Sequence, residues 1–158
     1  MHQKKFSINF MHLALEQAVK AYQLDEVPVG AIIVKNNVVI GAGCNQVIAD
    51  NSVSSHAEIN AINTASQYLK NYRLIDCDLY VTLEPCHMCA KAIVDARIKN
   101  LYIGALEPKS GAIVSVDNFL KKEHLNHIVS YEYGFLDNES SDLLINFFSS
   151  KRRSKKII

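Results

Sequence analysis

Apolar residues recur at helical spacing near the start of the chain. Met11, Leu15, Ala18 and Tyr22 share one face of a helix expected over residues 7–23, with Ser7 or Asn9 as its cap. Beyond Pro28 and Gly30 the period changes. The β-branched runs Ala31-Ile32-Ile33-Val34 and Val38-Val39-Ile40 flank Lys35-Asn36-Asn37, which reads as a hairpin because asparagine tolerates positive φ. Residues 45–55 are polar and aperiodic, hence a loop. A second helix opens near Ser54 or Ser55 and sets Ile59, Ile62, Ser66 and Leu69 along one face. Leu79-Tyr80-Val81-Thr82 reads as a strand. A proline disfavours helical geometry in the residue before it and itself suits the first helical position. Glu84 therefore ends the extended segment, and Pro85 opens a third helix carrying Cys86, Cys89, Ile93 and Val94. Leu101-Tyr102-Ile103 forms a fourth strand, a glycine-containing loop covers residues 104–115, and a helical stretch covers 116–122. Ile128-Val129-Ser130-Tyr131 is the last strand and residues 139–153 the last helix. This alternation, without internal repeats or a low-complexity linker, argues an α/β fold of three layers, α/β/α.

At 158 residues the chain is expected to form a single domain over 1–158, large enough to bury a sizeable core. With 49% hydrophobic and 21% charged residues it has the composition of a soluble globular protein, and a net charge of +1 favours no partner class. Charge distribution says more. Lys151-Arg152-Arg153-Ser154-Lys155-Lys156 is a basic run, so residues 151–158 form a basic C-terminal tail. No apolar run approaches the roughly 20 residues of a membrane span. The N-terminus lacks the apolar stretch of a secretory signal. A cytoplasmic setting follows, in which thiols stay reduced, so the four cysteines do not imply disulfides. Cys44 and Cys77, isolated from other ligand types, read as small buried hydrophobes.

The chemistry concentrates in Pro85-Cys86-His87-Met88-Cys89 and in His56-Ala57-Glu58, thirty positions upstream. His56, Cys86 and Cys89 suit a tetrahedral Zn²⁺, and three protein ligands leave a fourth position for water, as in catalytic rather than structural zinc sites. Cys86 and Cys89, three apart at a helix start, project to one side. The helix dipole there favours thiolate, the metal-binding form. His56, at another helix start, is kept neutral. Zinc lowers the pKa of its water to about 7. Glu58, not a ligand, is the candidate to carry protons between that water, the ring nitrogen and the departing amine. This His-x-Glu…Pro-Cys-x-x-Cys order marks the zinc-dependent nucleobase deaminases. Other readings exist. Ser55 and Glu58 fit a capping box, and the cysteines alone fit a redox pair or half of a four-cysteine zinc site, although no second closely spaced pair is present to close one. His87 reads as a surface or supporting residue.

Glu26-Val27-Pro28-Val29-Gly30-Ala31, Ser55-His56-Ala57-Glu58, Asn71-Tyr72-Arg73-Leu74 and Leu79-Tyr80-Val81-Thr82-Leu83-Glu84-Pro85-Cys86 closely resemble bacterial tRNA-specific adenosine deaminases, within the cytidine and deoxycytidylate deaminase superfamily. The likeness extends from the first helix to Phe147-Phe148. It implies a cytidine-deaminase-like fold with a five-stranded mixed sheet, a homodimer, and hydrolytic conversion of the wobble adenosine of a tRNA anticodon to inosine. By position, His56, Cys86 and Cys89 match the family's zinc ligands and Glu58 its proton shuttle. Asn45 matches the asparagine that holds the purine, and Lys109 lies in a loop that contacts RNA. Phe148 and Arg152 fall in the helix bordering the anticodon pocket. His87, Lys91 and Ile113-Val114 depart from the family's usual residues, which bears on substrate fit and packing rather than on the reaction. Two other functions compete: a small-molecule deaminase acting on guanine, cytosine or a nucleotide, and a non-catalytic RNA-binding module that keeps zinc for structure. The basic C-terminus and Lys109 favour RNA over the first, and Glu58 speaks against the second.

Overall fold

The computed structural model describes residues 6–155. Five strands form one mixed sheet in the order β2-β1-β3-β4-β5. They are β1 (Gly30–Lys35), β2 (Val38–Cys44), β3 (Cys77–Leu83), β4 (Asn100–Ala105) and β5 (Ser130–Tyr133). β1 is antiparallel to both β2 and β3, whereas β4 runs parallel to β3 and to β5. Helices α1 (Ile8–Gln23) and α4 (Asp137–Lys155) cover one face, and α2 (Ala57–Leu69) and α3 (His87–Asp95) the other. The three layers and five mixed strands agree with the expected fold. Asn36 and Asn37, with φ of 50° and 61°, make the β1–β2 turn that the asparagine pair implies.

The central strands read as unbroken apolar runs because both faces are covered. Ala31, Ile33, Leu79, Val81, Leu101 and Ile103 point into the core under α2 and α3. Ile32, Val34, Tyr80 and Tyr102 point into a second core, where Phe6, Phe10 and Phe135 join them against α1. Cys44 and Cys77 are buried, as expected of small apolar side chains.

Several boundaries differ from the sequence reading. α2 starts at Ala57 rather than Ser54 or Ser55, and its buried face is Ala57, Glu58, Ala61, Ile62 and Ala65. Ile59, Ser66 and Leu69 are only half-buried. Close approach to β2 explains the rotation: a Cβ on Gly43 would lie 2.6 Å from the Ala57 carbonyl oxygen and 2.6 Å from the Ala61 nitrogen. Only the alanine side of the helix fits so near the sheet. α3 begins at His87, with Cys86 as an extended N-cap (φ −75°, ψ 176°), so Pro85 precedes the helix instead of opening it. The helical stretch at 116–122 shrinks to a 3₁₀ turn, Phe119–Lys121, because the Val116 and Phe119 amides donate back to Gly111 and Ala112 of the preceding loop. β5 lies two residues later than expected. Pairing Asn100 with Ser130 sets its register, and Ile128 is left exposed. The basic run is divided: residues through Lys155 close α4, and 156–158 lie outside the described residues.

Candidate active site

The strand–helix connections put two helix N-termini at one edge of the sheet. His56 is the N-cap of α2 and Cys86 the N-cap of α3, both with extended backbones and neither with a side-chain capping bond. A side chain at such a position leaves the helix axis and is free for another partner. Cys89, one turn into α3, is buried on its inner side. The three donor atoms converge: His56 Nδ1 lies 3.7 Å from Cys86 Sγ and 3.5 Å from Cys89 Sγ, and all lie within 4.8 Å of one another. A tetrahedral ion with bonds of about 2.3 Å to sulfur and 2.05 Å to nitrogen separates those donors by about 3.6 Å. Both nitrogen–sulfur separations match that spacing, so the imidazole and the two sulfurs suit zinc.

The charges fit as well. The Cys86 thiol is drawn down to about 3, chiefly because Cys89 donates a hydrogen bond to it, with His56 adding a second. Cys89 is pushed up by that same bond and by burial, and His56 is raised by its bond to Cys86. These side chains thus hold protons that a bound cation would displace. Glu58, the second residue of α2, is outside the donor cluster and 4% exposed. Burial raises its carboxyl to about 7, and the Cys89 thiol bonds to it. A carboxyl poised near neutrality takes up and returns a proton with little driving force either way, as a general acid–base requires.

The capping-box reading does not hold. Ser55 Oγ donates to Asp50 and also bonds Asn60, while Ala57 N–H donates to Asn45 Oδ1 at 3.2 Å. Asn45 thus secures the start of α2 through its oxygen and also lines the cavity. That cavity, of about 200 Å³, is walled by Val27, Val29, Asn45, His56, Glu58, Leu83, Glu84 and Cys86, with Glu107 and Ser110 at its side. It is smaller than the roughly 300–1,000 Å³ of drug-sized sites and suits one flat base. Lys109 is exposed between those last two wall residues, its N–H donating to Glu107 Oε1. Phe148, 44% exposed, and Arg152 lie on α4 and are not cavity-wall residues. α4 instead docks on the end of α1 through Phe147, whose ring meets Tyr22 at 5.8 Å, and through the Lys151–Asp25 ion pair. His87 faces outward and bonds Asp117 Oδ2 at 2.9 Å, as a surface residue does.

Two carboxylates escaped the sequence reading. Glu26, 2% exposed, accepts the Ile48 and Ala49 amides and so pins the 45–55 loop beside Asn45. Glu84 binds the opposite loop. Both lie in segments that carry the family resemblance, but residue type and spacing gave neither a role.

A non-ligating buried carboxyl next to a His/Cys/Cys donor set, at the edge of a mixed sheet, places the molecule among the zinc-dependent deaminases as a class. Comparison with known proteins narrows this. Residues 4–105 match the model of the cytidine and deoxycytidylate deaminase zinc-binding region. The tRNA-specific adenosine deaminase of Haemophilus influenzae is 44% identical over 154 residues, covering 97% of this chain and 89% of that one. A structure solved in a study of A-to-I editing by tRNA wobble-position deaminases superposes with a TM-score of 0.85 at 43% identity, covering 87% of this chain and all of that one. The guanine deaminase of Bacillus subtilis gives 0.63 at 29% identity over 94% of this chain and 95% of that one. The chain belongs to the cytidine and deoxycytidylate deaminase family, in the branch of the tRNA-specific adenosine deaminases. Zinc is its cofactor.

Proposed function

We infer that the chain hydrolytically deaminates the wobble adenosine of a tRNA anticodon to inosine, releasing ammonia. The convergence of His56, Cys86 and Cys89 beside a protonatable Glu58 carries this reading. The greater likeness to tRNA-specific adenosine deaminases than to guanine deaminase supports RNA over a free base. His56, Cys86 and Cys89 hold the ion, which when bound supplies a Lewis acid that makes a water nucleophilic at neutral pH. Glu58 would take the proton such a water gives up and pass it to the ring nitrogen, and would then carry the hydroxyl proton of the hydrated ring carbon to the amine, which leaves as ammonia. Asn45 offers its amide nitrogen to an acceptor on the purine edge. Lys109, Phe148 and Arg152 meet the flanking nucleotides and phosphates. An anticodon-loop adenosine is already partly unstacked, so extruding it costs less of the few kcal/mol that flipping requires.

The domain spans 1–158 and works in the cytoplasm as a homodimer. Exposed Ile48, Val53 and Met88, on the elements around the site, are apolar surface that a second copy would cover. Incubation with total bacterial tRNA, mapping of inosine and zinc analysis test the assignment. Inosine confined to wobble positions and about one zinc per chain are expected; inosine elsewhere, or none, overturns it.

A further inference from the structure

Glu84 is 3% exposed, in the connection between β3 and the Cys86 cap of α3. Its carboxylate accepts five hydrogen bonds, all from residues 107–115. Oε1 takes the Glu107 amide at 3.0 Å and the Ser115 hydroxyl at 2.5 Å. Oε2 takes the amides of Ile113 at 3.1 Å, Val114 at 2.8 Å and Ser115 at 3.0 Å. Gly111 closes over the carboxyl so tightly that an added Cβ would sit 2.2 Å from its carbon.

The loop has two unlike halves. Ala112 and Ile113 are buried in the core, but Pro108, Lys109 and Ser110 are exposed. The half that borders the cavity therefore has no apolar anchor, and hydrogen bonds set its place. The bond from Glu107 to Glu84 leads these, supported by Gly111 N–H to the Glu107 carbonyl and Lys109 N–H to its side chain. The same carboxylate stands two residues from Cys86, which ties the cavity rim to the frame of the metal site. Glutamine cannot substitute, because its amide would turn donors toward amides that are themselves donors.

We propose that Glu84 is a positioning residue for substrate recognition: by fixing the 107–115 loop it holds Glu107 and Ser110 against the cavity, and Lys109 beside them, in the shape that receives the anticodon strand. This rests on the deaminase reading above. His56, Glu58 and the cysteines are held by α2 and α3, so loosening the loop spares the chemical step and weakens binding.

The test uses zinc-loaded Glu84→Gln and, from the loop side, Gly111→Ala, which leaves the carboxylate in place and pushes the loop off it. With an anticodon stem-loop as substrate, both variants should raise KM about tenfold while kcat stays within about threefold and zinc content is unchanged. A merely structural role would lower the active fraction and therefore kcat, leaving KM alone. Hydrogen exchange reads the anchor without activity: the amides of Glu107, Ile113, Val114 and Ser115 should exchange at least about tenfold faster in both variants. Unchanged KM in both, or unchanged exchange at those amides, overturns the proposal. Wild-type protein inactive on the stem-loop would count against the assigned function, and the exchange arm would still decide the anchor.

Discussion

In the proposed reaction Glu58 carries the heaviest chemical demand for its size. A carboxyl buried at the second position of a helix, raised to about 7 by desolvation, is a poor choice for stability and a good one for moving protons. Glu58→Ala should keep zinc and tRNA binding yet lower kcat by about 10² or more; loss of zinc would make Glu58 a ligand instead. The raised carboxyl also fixes the sign of a stability effect. Ionising it costs the folded state more than the unfolded state, so its penalty grows as pH rises from 4.5 and is complete above about 7. Metal-free Glu58→Gln should therefore melt higher than metal-free wild type at pH 8, with the difference vanishing near pH 4. Equal melting points at pH 8 would show that the carboxyl is not penalised.

The site depends on how closely α2 lies on β2, and that contact is set by glycines. Gly43→Ala forces the start of α2 away from the sheet, an overpacking that costs about 1–3 kcal/mol and displaces His56 and Glu58 together. Lower melting temperature with weakened zinc affinity is expected; unchanged zinc affinity would uncouple the helix position from the metal site. The 107–115 loop responds to acid. Burial alone would raise the Glu84 carboxyl, but the Ser115 hydroxyl and the backbone amides more than offset it and hold it below its ordinary 4.5. A depressed carboxyl stabilises above its unfolded pKa and loses that contribution as pH falls through the folded value. Wild type should lose stability below about pH 4.5 more steeply than Glu84→Gln; parallel curves would contradict this. Much at this level was legible beforehand. The Asn36-Asn37 turn, the central strands and the His56/Cys86/Cys89/Glu58 set rest on residue type and short spacing. The buried face of α2 was misread because Ile59 and Leu69 are more apolar than the alanines that fit, and helix–sheet distance is not written in hydropathy. Glu26 and Glu84 stayed hidden because their partners are backbone amides 22 to 31 positions away, which every sequence supplies.

For the molecule as a whole, no described helix is long and apolar enough to cross a membrane, and the basic end of α4 is the main charge feature outside the site. Phosphate contacts release counterions, so under the proposed function any affinity contributed by Lys109, Arg152 and Arg153 should fall with salt. Removing residues 151–158 should weaken tRNA binding and flatten its salt slope with the edited position unchanged; unaltered affinity would leave the tail a solvated surface. It also removes the Lys151–Asp25 pair, an exposed contact of small energetic weight. Under the proposed function, recognition of the surrounding RNA serves a small cavity, so that binding energy from neighbouring nucleotides orients the amine. The most direct test compares kcat/KM for an anticodon stem-loop bearing a wobble adenosine with that for free adenosine, guanine and cytidine. The stem-loop should exceed each of them by at least about 10³, a gap of roughly 4 kcal/mol. Comparable or faster turnover of any free base or nucleoside would overturn the tRNA assignment and identify a small-molecule deaminase.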